Sequence, residues 1–292
     1  MAAIIIDGKG IAAKVKEEIR DRVNRIKEQG IIPCLAVILV GEEVASVSYV
    51  RGKQKALADL GMDGRDIRLP FNVSQEELIL NIASLNADSK VHGILVQLPL
   101  PLHMDEEQVI NAIDPSKDVD CFHNVSLGKL VRGQSGFLPC TPQGILVLLT
   151  ELGIQVSGSH VVVVGRSNIV GKPLAVLLAS RDFNATVTLC HTGTKELSYY
   201  TRQADILIAA AGKPALIKGD MIKKGAAVID VGVSEVPHKG TATGKHRLVG
   251  DVVFEEALEI AGWVTPVPGG VGPMTIAMLM KNVVEAAERN EE

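Results

Sequence analysis

The sequence predicts an α/β protein of two domains built on parallel sheets. Three observations carry this. Short, almost wholly apolar runs alternate with longer segments whose apolar residues recur at helical spacing, the pattern of βαβ units with sheets covered on both faces. The alternation breaks once, near Pro139–Pro142, and then resumes as a second block. The chain is 292 residues long, enough for two domains of ordinary size.

The elements follow in order. Ile11, Val15, Ile19, Val23 and Ile26 mark a helix over 10–29, and Gly30 follows as a stop. CLAVILVG (34–41) reads as a buried strand. Residues 45–60 read as a helix ending at Gly61, and DIRLPF (66–71) as a strand. Ser74 and Glu77 have the spacing of a capping box for a helix over 75–87. HGILVQLPL (92–100) is a third strand and DEEQVINAI (105–113) a short helix, after which DPSKDVDCFHN reads as a loop. In the second block TPQGILVLLTELG reads as a helix. The strands are SHVVVVG (159–165), TVTLCH (186–191), DILIAAAG (205–212) and AAVIDVGV (226–233), with helical stretches between them. KGTATGK (239–245) is polar, a loop or hairpin. FEEALEIAG reads as a helix. A last helix follows PVPGGVG, with Pro273 in its first turn and Ile276, Leu279, Met280 and Val283 on its apolar face. Two successive blocks imply a crevice in which a small substrate binds.

Composition excludes several classes. The formal net charge of -4, with no basic block, argues against nucleic acid as a partner and gives no reason to expect an anionic membrane surface. Apolar runs are too short and interrupted to span a bilayer, and MAAIIIDGKG lacks the layout of a secretion signal. The expectation is a cytoplasmic protein. Cys34, Cys121, Cys140 and Cys190 are far apart with no CxxC pair, so no metal cluster or disulfide framework is expected, and they read as buried small hydrophobes. Aromatic residues make up only 3% of the chain, so aliphatic side chains must fill the core.

VVVVGRSNIVGKP runs strand, tight turn, helix. Gly165 falls directly after the strand and Gly171 at the start of the helix. In a dinucleotide fold the first glycine permits the turn, the later one close helix–strand packing, and a pyrophosphate sits on the helix N-terminus. Ser167 stands where GxGxxG has its middle glycine, so the motif alone also fits an ordinary strand–turn–helix junction. The next strand ends in Cys190, His191 and Thr192, with no carboxylate to bond a ribose diol. Arg166 can pair with a 2′-phosphate, and Thr192 and Thr194 add hydroxyls. NADP is therefore favoured over NAD; His191 reads equally as a ligand or as a plain loop residue.

Elsewhere the residues leave alternatives open. Tyr49 and Lys53, four apart on one helix, share a face. A lysine pointing into an apolar cleft can have a lowered pKa and move protons near neutrality. With Arg51 and Lys55 beside it, spacing alone favours a solvated surface lysine. Gln97 is either a satisfied core amide or a ligand-facing residue at a strand's carboxyl end. Asp118 and Asp120 read as solvated or capping acids. PVPGGVGPMT (266–275) has a backbone shape that lets a ligand approach the main chain, or else makes a rigid turn.

Taken together, YVRGKQK, GILVQLPLP, KDVD, PCTP, VVGRSNIVGKP and PVPGGVGPMT, in this order and across essentially the whole chain, resemble the bifunctional methylenetetrahydrofolate dehydrogenase/methenyltetrahydrofolate cyclohydrolase family. The resemblance implies two domains: a folate-binding catalytic domain over 1–138, with a C-terminal helix (273–292) packing back on it, and a Rossmann-like NADP-binding domain over 139–272. It implies NADP-dependent oxidation of 5,10-methylenetetrahydrofolate to the methenyl cation, then hydrolysis to 10-formyltetrahydrofolate, within one-carbon metabolism and purine biosynthesis. On that pattern Lys53 is the principal catalytic residue, Gln97 bonds and tunes it, and Tyr49 stacks against the folate. Asp120 bonds the pterin, with Pro268, Gly269 and Gly270 bordering the substrate. Gly165, Arg166, Ser167, Gly171, His191, Thr192, Gly272 and Thr275 hold NADP. No metal is implied, and a homodimer is.

Many family members have Gly after the second Asp of KDVD where this chain has Cys121; binding is expected to survive with a slightly altered loop. Three readings compete. A dehydrogenase with weak or absent cyclohydrolase activity is opposed by the presence of Lys53 and Gln97. Another NADP-dependent reductase, acting on a shikimate-like acid, leaves YVRGKQK and PVPGGVGPMT unexplained. A non-catalytic NADP-binding regulatory protein predicts binding without turnover.

Overall fold

The structure, a computed structural model, describes residues 2–237 and 246–289. The chain divides into two compact units, Met1–Ala12 with Thr141–Thr275, and Ala13–Cys140 with Ile276–Glu292. Where the sequence reading runs 1–138 together, the structure removes the first twelve residues. The two-residue strand β1 (Ile4–Ile5) pairs in parallel with β11 (Trp263–Val264), far along the chain. A strand that short carries no periodicity from which its partner could be read.

The unit containing Ala13–Cys140 is built on a three-stranded parallel sheet, β3-β2-β4. β2 (Cys34–Val40) is buried along its whole length, which is why it reads as an unbroken apolar run. Each such Val, Leu or Ile contributes about 1.5–3 kcal/mol on leaving water. β3 (Asp63–Leu69) begins three residues earlier than its apolar content suggests. It is an edge strand that pairs with β2 throughout, and its polar residues face outward. β4 (Gly93–Val96) is shorter than the apolar run, because Pro99 and Pro101 offer no ladder donor.

Helices flank this sheet. α1 (Gly8–Glu28) buries Ile19, Val23 and Ile26. α2 (Val44–Leu60) ends on Gly61 in the left-handed conformation. α3 (Gln75–Ala87) starts where the Ser74 side chain accepts from Glu77 N. α4 (Glu106–Asn111) follows, capped by Asp105. α5 (Asn124–Val131) had no signal in the sequence reading, since its cap is His123, whose Nδ1 accepts from Val125 N in place of a Ser or Asp oxygen.

α6 (Cys140–Glu151) leads into the other unit, a six-stranded parallel sheet ordered β1-β11-β8-β7-β5-β6. Its further strands are β5 (His160–Val164), β6 (Thr186–Cys190), β7 (Ile206–Ala209) and β8 (Ala227–Asp230). With β5, β6, β7, β8 and β11 numbered 1 to 5 and β1 at the far edge, the order read from β6 is 2-1-3-4-5 and reverses direction between β5 and β7, the place where doubly wound sheets bind ligands at the strands' carboxyl ends. α7 (Gly171–Leu178), α8 (Leu197–Thr201) and α9 (Phe254–Ile260) connect these strands. β9 (Ser234–Pro237) and β10 (His246–Val249) pair antiparallel. The segment between them, with the polar stretch 239–245, lies outside the described residues. α10 (Val271–Arg289) buries Leu279, Met280 and Val283. Among the described residues no helix is long and apolar enough to cross a membrane.

Candidate active site

Lys53 stands in the middle of α2, and Gln97 directly after β4. The Gln97 main chain still ladders onto β2, its N–H donating to Ile38 O at 2.8 Å, so the residue is held at the strand's carboxyl end. Its side chain is fixed at both ends. Nε2 donates to Leu98 O at 2.8 Å, which leaves Oε1 to accept from Lys53 Nζ at 2.8 Å. The amide orientation is therefore set by its own neighbour, and it presents an acceptor to the lysine. Tyr49, one turn before Lys53, is 44% exposed on the same helix.

The KDVD segment divides its labour. Lys117 is buried, and its ammonium donates to the carbonyls of Leu85, Asn86 and Asp88 at 3.1, 2.8 and 2.8 Å, closing the end of α3. Asp118 accepts from the main-chain N–H of Phe122 and His123 at 3.1 and 2.9 Å. Both side chains are spent on the loop, and Asp120 is left for the site. Cys121 then takes a left-handed backbone, φ 60°, with its thiol fully buried. That is the conformation glycine adopts without penalty, and it gives the physical meaning of the family's usual residue there.

Lys53, Asp120 and Cys140 are electrostatically coupled. Lys53 and Asp120 are half-buried and Cys140 is fully buried, and desolvation dominates at all three. Burial pushes the Lys53 ammonium below the ordinary lysine range, against the pull of Asp120. Burial pushes Asp120 above the carboxylate range, opposed by Lys53 and by a hydrogen bond with the Cys140 thiol. Cys140 is held well above the thiol range, by burial first and then by Asp120. It stays a neutral thiol whose one proton has both Val119 O, at 3.4 Å, and the Asp120 carboxylate in reach. A lysine pushed toward its neutral form beside an acid pushed toward its protonated form is an arrangement able to exchange a proton.

Two contributors were not legible in the sequence. Cys140 reads as a core hydrophobe, yet its thiol faces Asp120. Asn282 on α10 is buried, and its Nδ2 donates to Val119 O at 2.7 Å and Leu138 O at 2.9 Å, with the Cys140 sulfur at 3.6 Å. It ties together the segments carrying Asp120 and Cys140. A polar residue on the apolar face of an amphipathic helix is the one signal that could have found it.

In the unit built on the six-stranded sheet, the turn after β5 has the form a dinucleotide requires. Gly165 has φ +130°, and a Cβ there would overlap Ala210 O; one on Gly171 would overlap Gly165 O. Ser167 Oγ accepts from Val170 N at 3.1 Å and Gly171 N at 3.4 Å, so the serine in the middle position shapes the turn while keeping its own proton to donate. Arg166 and Thr192 are exposed. The loop after β6 is preformed: His191 N donates to Thr194 Oγ1 at 2.8 Å, and Gly193 N donates to His191 Nδ1 at 3.0 Å. That bond leaves the imidazole's Nε2 to carry the proton. Thr194 is thus occupied within the loop.

The segment between β11 and α10 is tight. Gly269 has φ +114°, Gly270 N donates to Pro266 O at 2.9 Å, and a Cβ on Gly8 would overlap Gly270 O. Pro268 is exposed, and a Cβ on Gly272 would meet nothing within 4 Å. Thr275 Oγ1 lies 2.9 Å from Thr141 Oγ1. The glycine cradle, the helix N-terminus of α7, the free Arg166 and the absence of a carboxylate at the end of β6 together fit a dinucleotide bearing a 2′-phosphate. Among the described residues no group of three or more His, Cys, Asp or Glu is placed to hold a metal ion.

Comparison with known proteins covers the whole chain. Residues 6–120 match the model of the tetrahydrofolate dehydrogenase/cyclohydrolase catalytic domain, and residues 139–291 that of its NAD(P)-binding domain. The chain is 57% identical to the bifunctional protein FolD of Moorella thermoacetica, over 99% of this chain and all of that one. Among solved structures it is similar to the bifunctional FolD methylenetetrahydrofolate dehydrogenase/cyclohydrolase of Campylobacter jejuni, at 48% identity and a TM-score of 0.93 over 99% of this chain and all of that one. It is also similar to the Trypanosoma brucei methylenetetrahydrofolate dehydrogenase-cyclohydrolase complexed with NADP cofactor and inhibitor. There the identity is 40% and the TM-score 0.95, over all of this chain and 99% of that one.

Proposed function

We infer the chemistry from membership: the chain belongs to the tetrahydrofolate dehydrogenase/cyclohydrolase family, and it is a bifunctional NADP-dependent enzyme of that family. It oxidises 5,10-methylenetetrahydrofolate to 5,10-methenyltetrahydrofolate and hydrolyses that product to 10-formyltetrahydrofolate. We further propose the roles of its residues, and that Lys53 is the group through which the hydrolytic step runs. The observation that supports this is the 2.8 Å bond from Lys53 Nζ to Gln97 Oε1 in surroundings that favour the neutral amine.

Bound NADP supplies the acceptor for the hydride that leaves the methylene carbon. Gly165, Gly171, Ser167 and the α7 N-terminus would hold its pyrophosphate, Arg166 and Thr192 its 2′-phosphate, and His191 the adjoining ribose. Gly272 and Thr275 border the nicotinamide, with Pro268, Gly269 and Gly270 along the folate. Tyr49 stacks on the folate and helps orient it for both steps. Asp120 accepts from the donor edge of the pterin, a role that a carboxylate at the end of an anchored loop fits. The methenyl product is a cation, so a permanently charged lysine beside it would be repelled. A lysine that loses its proton at modest cost can instead take one from the attacking water. Gln97 Oε1 keeps the amine aimed while it does so.

Lys53→Met tests this. The variant should still bind NADP with unchanged affinity, while enzyme-accelerated decay of the methenyl absorbance is lost. Loss of NADP binding in that variant would show that Lys53 is wrongly placed. A wild-type chain that builds up methenyltetrahydrofolate without accelerating its decay would refute the hydrolytic role outright. A homodimer and a cytoplasmic location complete the proposal, and sedimentation of the purified chain tests the first.

A further inference from the structure

The six-stranded sheet contains a buried acidic pair to which the two reactions give no role. Asp230 ends β8 in AVIDVG, and Asp251 follows β10 in VGDV. Asp251 is fully buried and Asp230 very nearly so. Asp230 Oδ1 accepts from Gly232 N and Asp251 N at 3.0 and 2.9 Å, and Oδ2 from Val252 N at 2.9 Å. Its own N–H donates to Thr265 Oγ1 at 2.7 Å. Asp251 Oδ2 accepts from Ala211 N and Gly212 N at 2.6 and 2.9 Å. There is no slack around the pair, because a Cβ on Gly232 or Gly250 would overlap one or the other carboxylate.

We propose that the Asp230–Asp251 pair is a positioning unit of the dehydrogenase reaction, fixing the loops after β7 and β11 so that the nicotinamide is held at hydride-transfer geometry. This rests on the reading of the chain as an NADP-dependent dehydrogenase. β8 lies between β7 and β11 in the sheet, so the main chain at its carboxyl end borders both flanking loops, and the Asp230 carboxylate holds Asp251 through its N–H. Asp251 holds the loop after β7, whose Ala210 O lies against the Gly165 turn. The Asp230 main chain, fixed by its own carboxylate's bonds to Gly232, Asp251 and Val252 N, holds the start of the TPVPGG segment, its N–H donating to Thr265 Oγ1 and its carbonyl accepting from that hydroxyl at 3.4 Å, and Gly270 packs onto Thr265 and Pro266.

The main-chain donors of Ala211 and Gly212, which in a loop facing a dinucleotide could bind phosphate, are occupied by protein instead. Stability alone is a poor account of the pair. Among the described residues Asp251 Oδ1 is buried with no hydrogen-bond partner, and burial pushes both acids up, Asp230 to about 6. A displacement of even an ångström in the acceptor carbon's position lowers hydride transfer steeply, while cofactor affinity, spread over the phosphates, changes little.

Thr265→Val in the full chain breaks the link, since it removes the hydroxyl that accepts from Asp230 N and donates to Asp230 O, and keeps the side-chain shape. The expected result is a fall of about three- to tenfold in dehydrogenase kcat, the range one lost hydrogen bond provides. NADP affinity by fluorescence titration and enzyme-accelerated methenyl hydrolysis should stay within about twofold, and the isotope effect from deuterium on the methylene carbon should rise. Thr265→Ser should restore kcat. Should the valine variant fold poorly, Asp251→Asn reports on the other loop with the same split of readouts. Unchanged kcat in folded Thr265→Val, or a loss that follows NADP affinity, overturns the positioning role. A wild-type chain that reduces no NADP overturns the underlying reading instead.

Discussion

Gln97 permits two substitutions with opposite electrostatic signs at one atom. Its Oε1 accepts from Lys53 Nζ at 2.8 Å in a half-buried site. A hydrogen bond to a charged group is worth about 1.5–3 kcal/mol net. That bond stabilises the ammonium, so Gln97→Leu should lower the Lys53 pKa further. Gln97→Glu places a carboxylate at the same point and should raise it. The folded-state pKa of Lys53 already lies below the ordinary lysine value because burial outweighs the pull of Asp120.

If hydrolysis runs on the neutral amine, it fails as pH drops through that pKa. The acidic limb of the pH profile should therefore move down in Gln97→Leu and up in Gln97→Glu. At neutral pH the glutamate variant should lose about tenfold or more of its hydrolytic kcat. The assay is decay of the methenyl absorbance at saturating substrate, corrected for the uncatalysed reaction, across about three pH units on either side of neutrality. NADP affinity serves as the control and should not move. Limbs that shift in the same direction in both variants, or by less than about 0.3 units in either, would refute a proton-transfer role for Lys53 tuned by Gln97.

Arg166→Ala should narrow the preference for NADP over NAD by about tenfold to a hundredfold, the value of a charge-assisted bond to a phosphate; an unchanged ratio of kcat/KM values would remove Arg166 from that site. Cys121→Gly should relieve about 1–2 kcal/mol of left-handed strain. It should also forfeit a comparable amount of buried packing and chain entropy, so the two nearly cancel. The melting temperature should move by only a few degrees, and a large fall would mean that the thiol's packing outweighs the strain. Asn282→Leu strands the Leu138 carbonyl and leaves Val119 O only the Cys140 thiol, and should cost about 1–3 kcal/mol in denaturant titration, with hydrolysis reduced beyond the loss of folded protein. Wild-type activity in whatever fraction remains folded would show that Asn282 does not position Asp120.

Most of the fold was legible because its strands are buried on both faces and its helices are amphipathic. VVVVG and CLAVILV have few other readings. What escaped was whatever did not express itself as apolar periodicity. β1 has two residues and a partner more than 250 positions along the chain. β3 is an edge strand whose first half is polar, and α5 is capped by a histidine. The nucleotide turn was partly legible, since Gly165, Gly171 and the missing carboxylate near Thr192 each have a direct steric or electrostatic reason. The folate-side residues were not. From spacing, Lys53 is a surface lysine between Arg51 and Lys55, and Asp118 and Asp120 are equivalent acids. Only the fold separates them, giving Asp118 two main-chain donors and leaving Asp120 to the lysine.

That separation explains how one site can serve a cationic product. Lys53 and Asp120 are each driven toward neutrality by burial and toward charge by the other. The ion pair and the neutral pair differ by the position of one proton, and desolvation brings the two closer in energy than they would be in water. In the roles proposed above, a pterin donating to Asp120 would stabilise the carboxylate and with it the ammonium. The methenyl cation that follows oxidation would act in the opposite sense, since a positive charge beside Lys53 favours release of the lysine's proton. The oxidation product would thereby prepare the base needed to hydrolyse it. Asp120→Asn should uncouple the two: the lysine, without its counter-charge, should be neutral over a wider pH range, and the acidic limb of hydrolysis should move down. Folate affinity should fall at the same time, because an amide cannot accept from two pterin donors as a carboxylate does. If affinity falls while the limb stays in place, Asp120 serves the pterin alone and Lys53 is tuned by burial and Gln97.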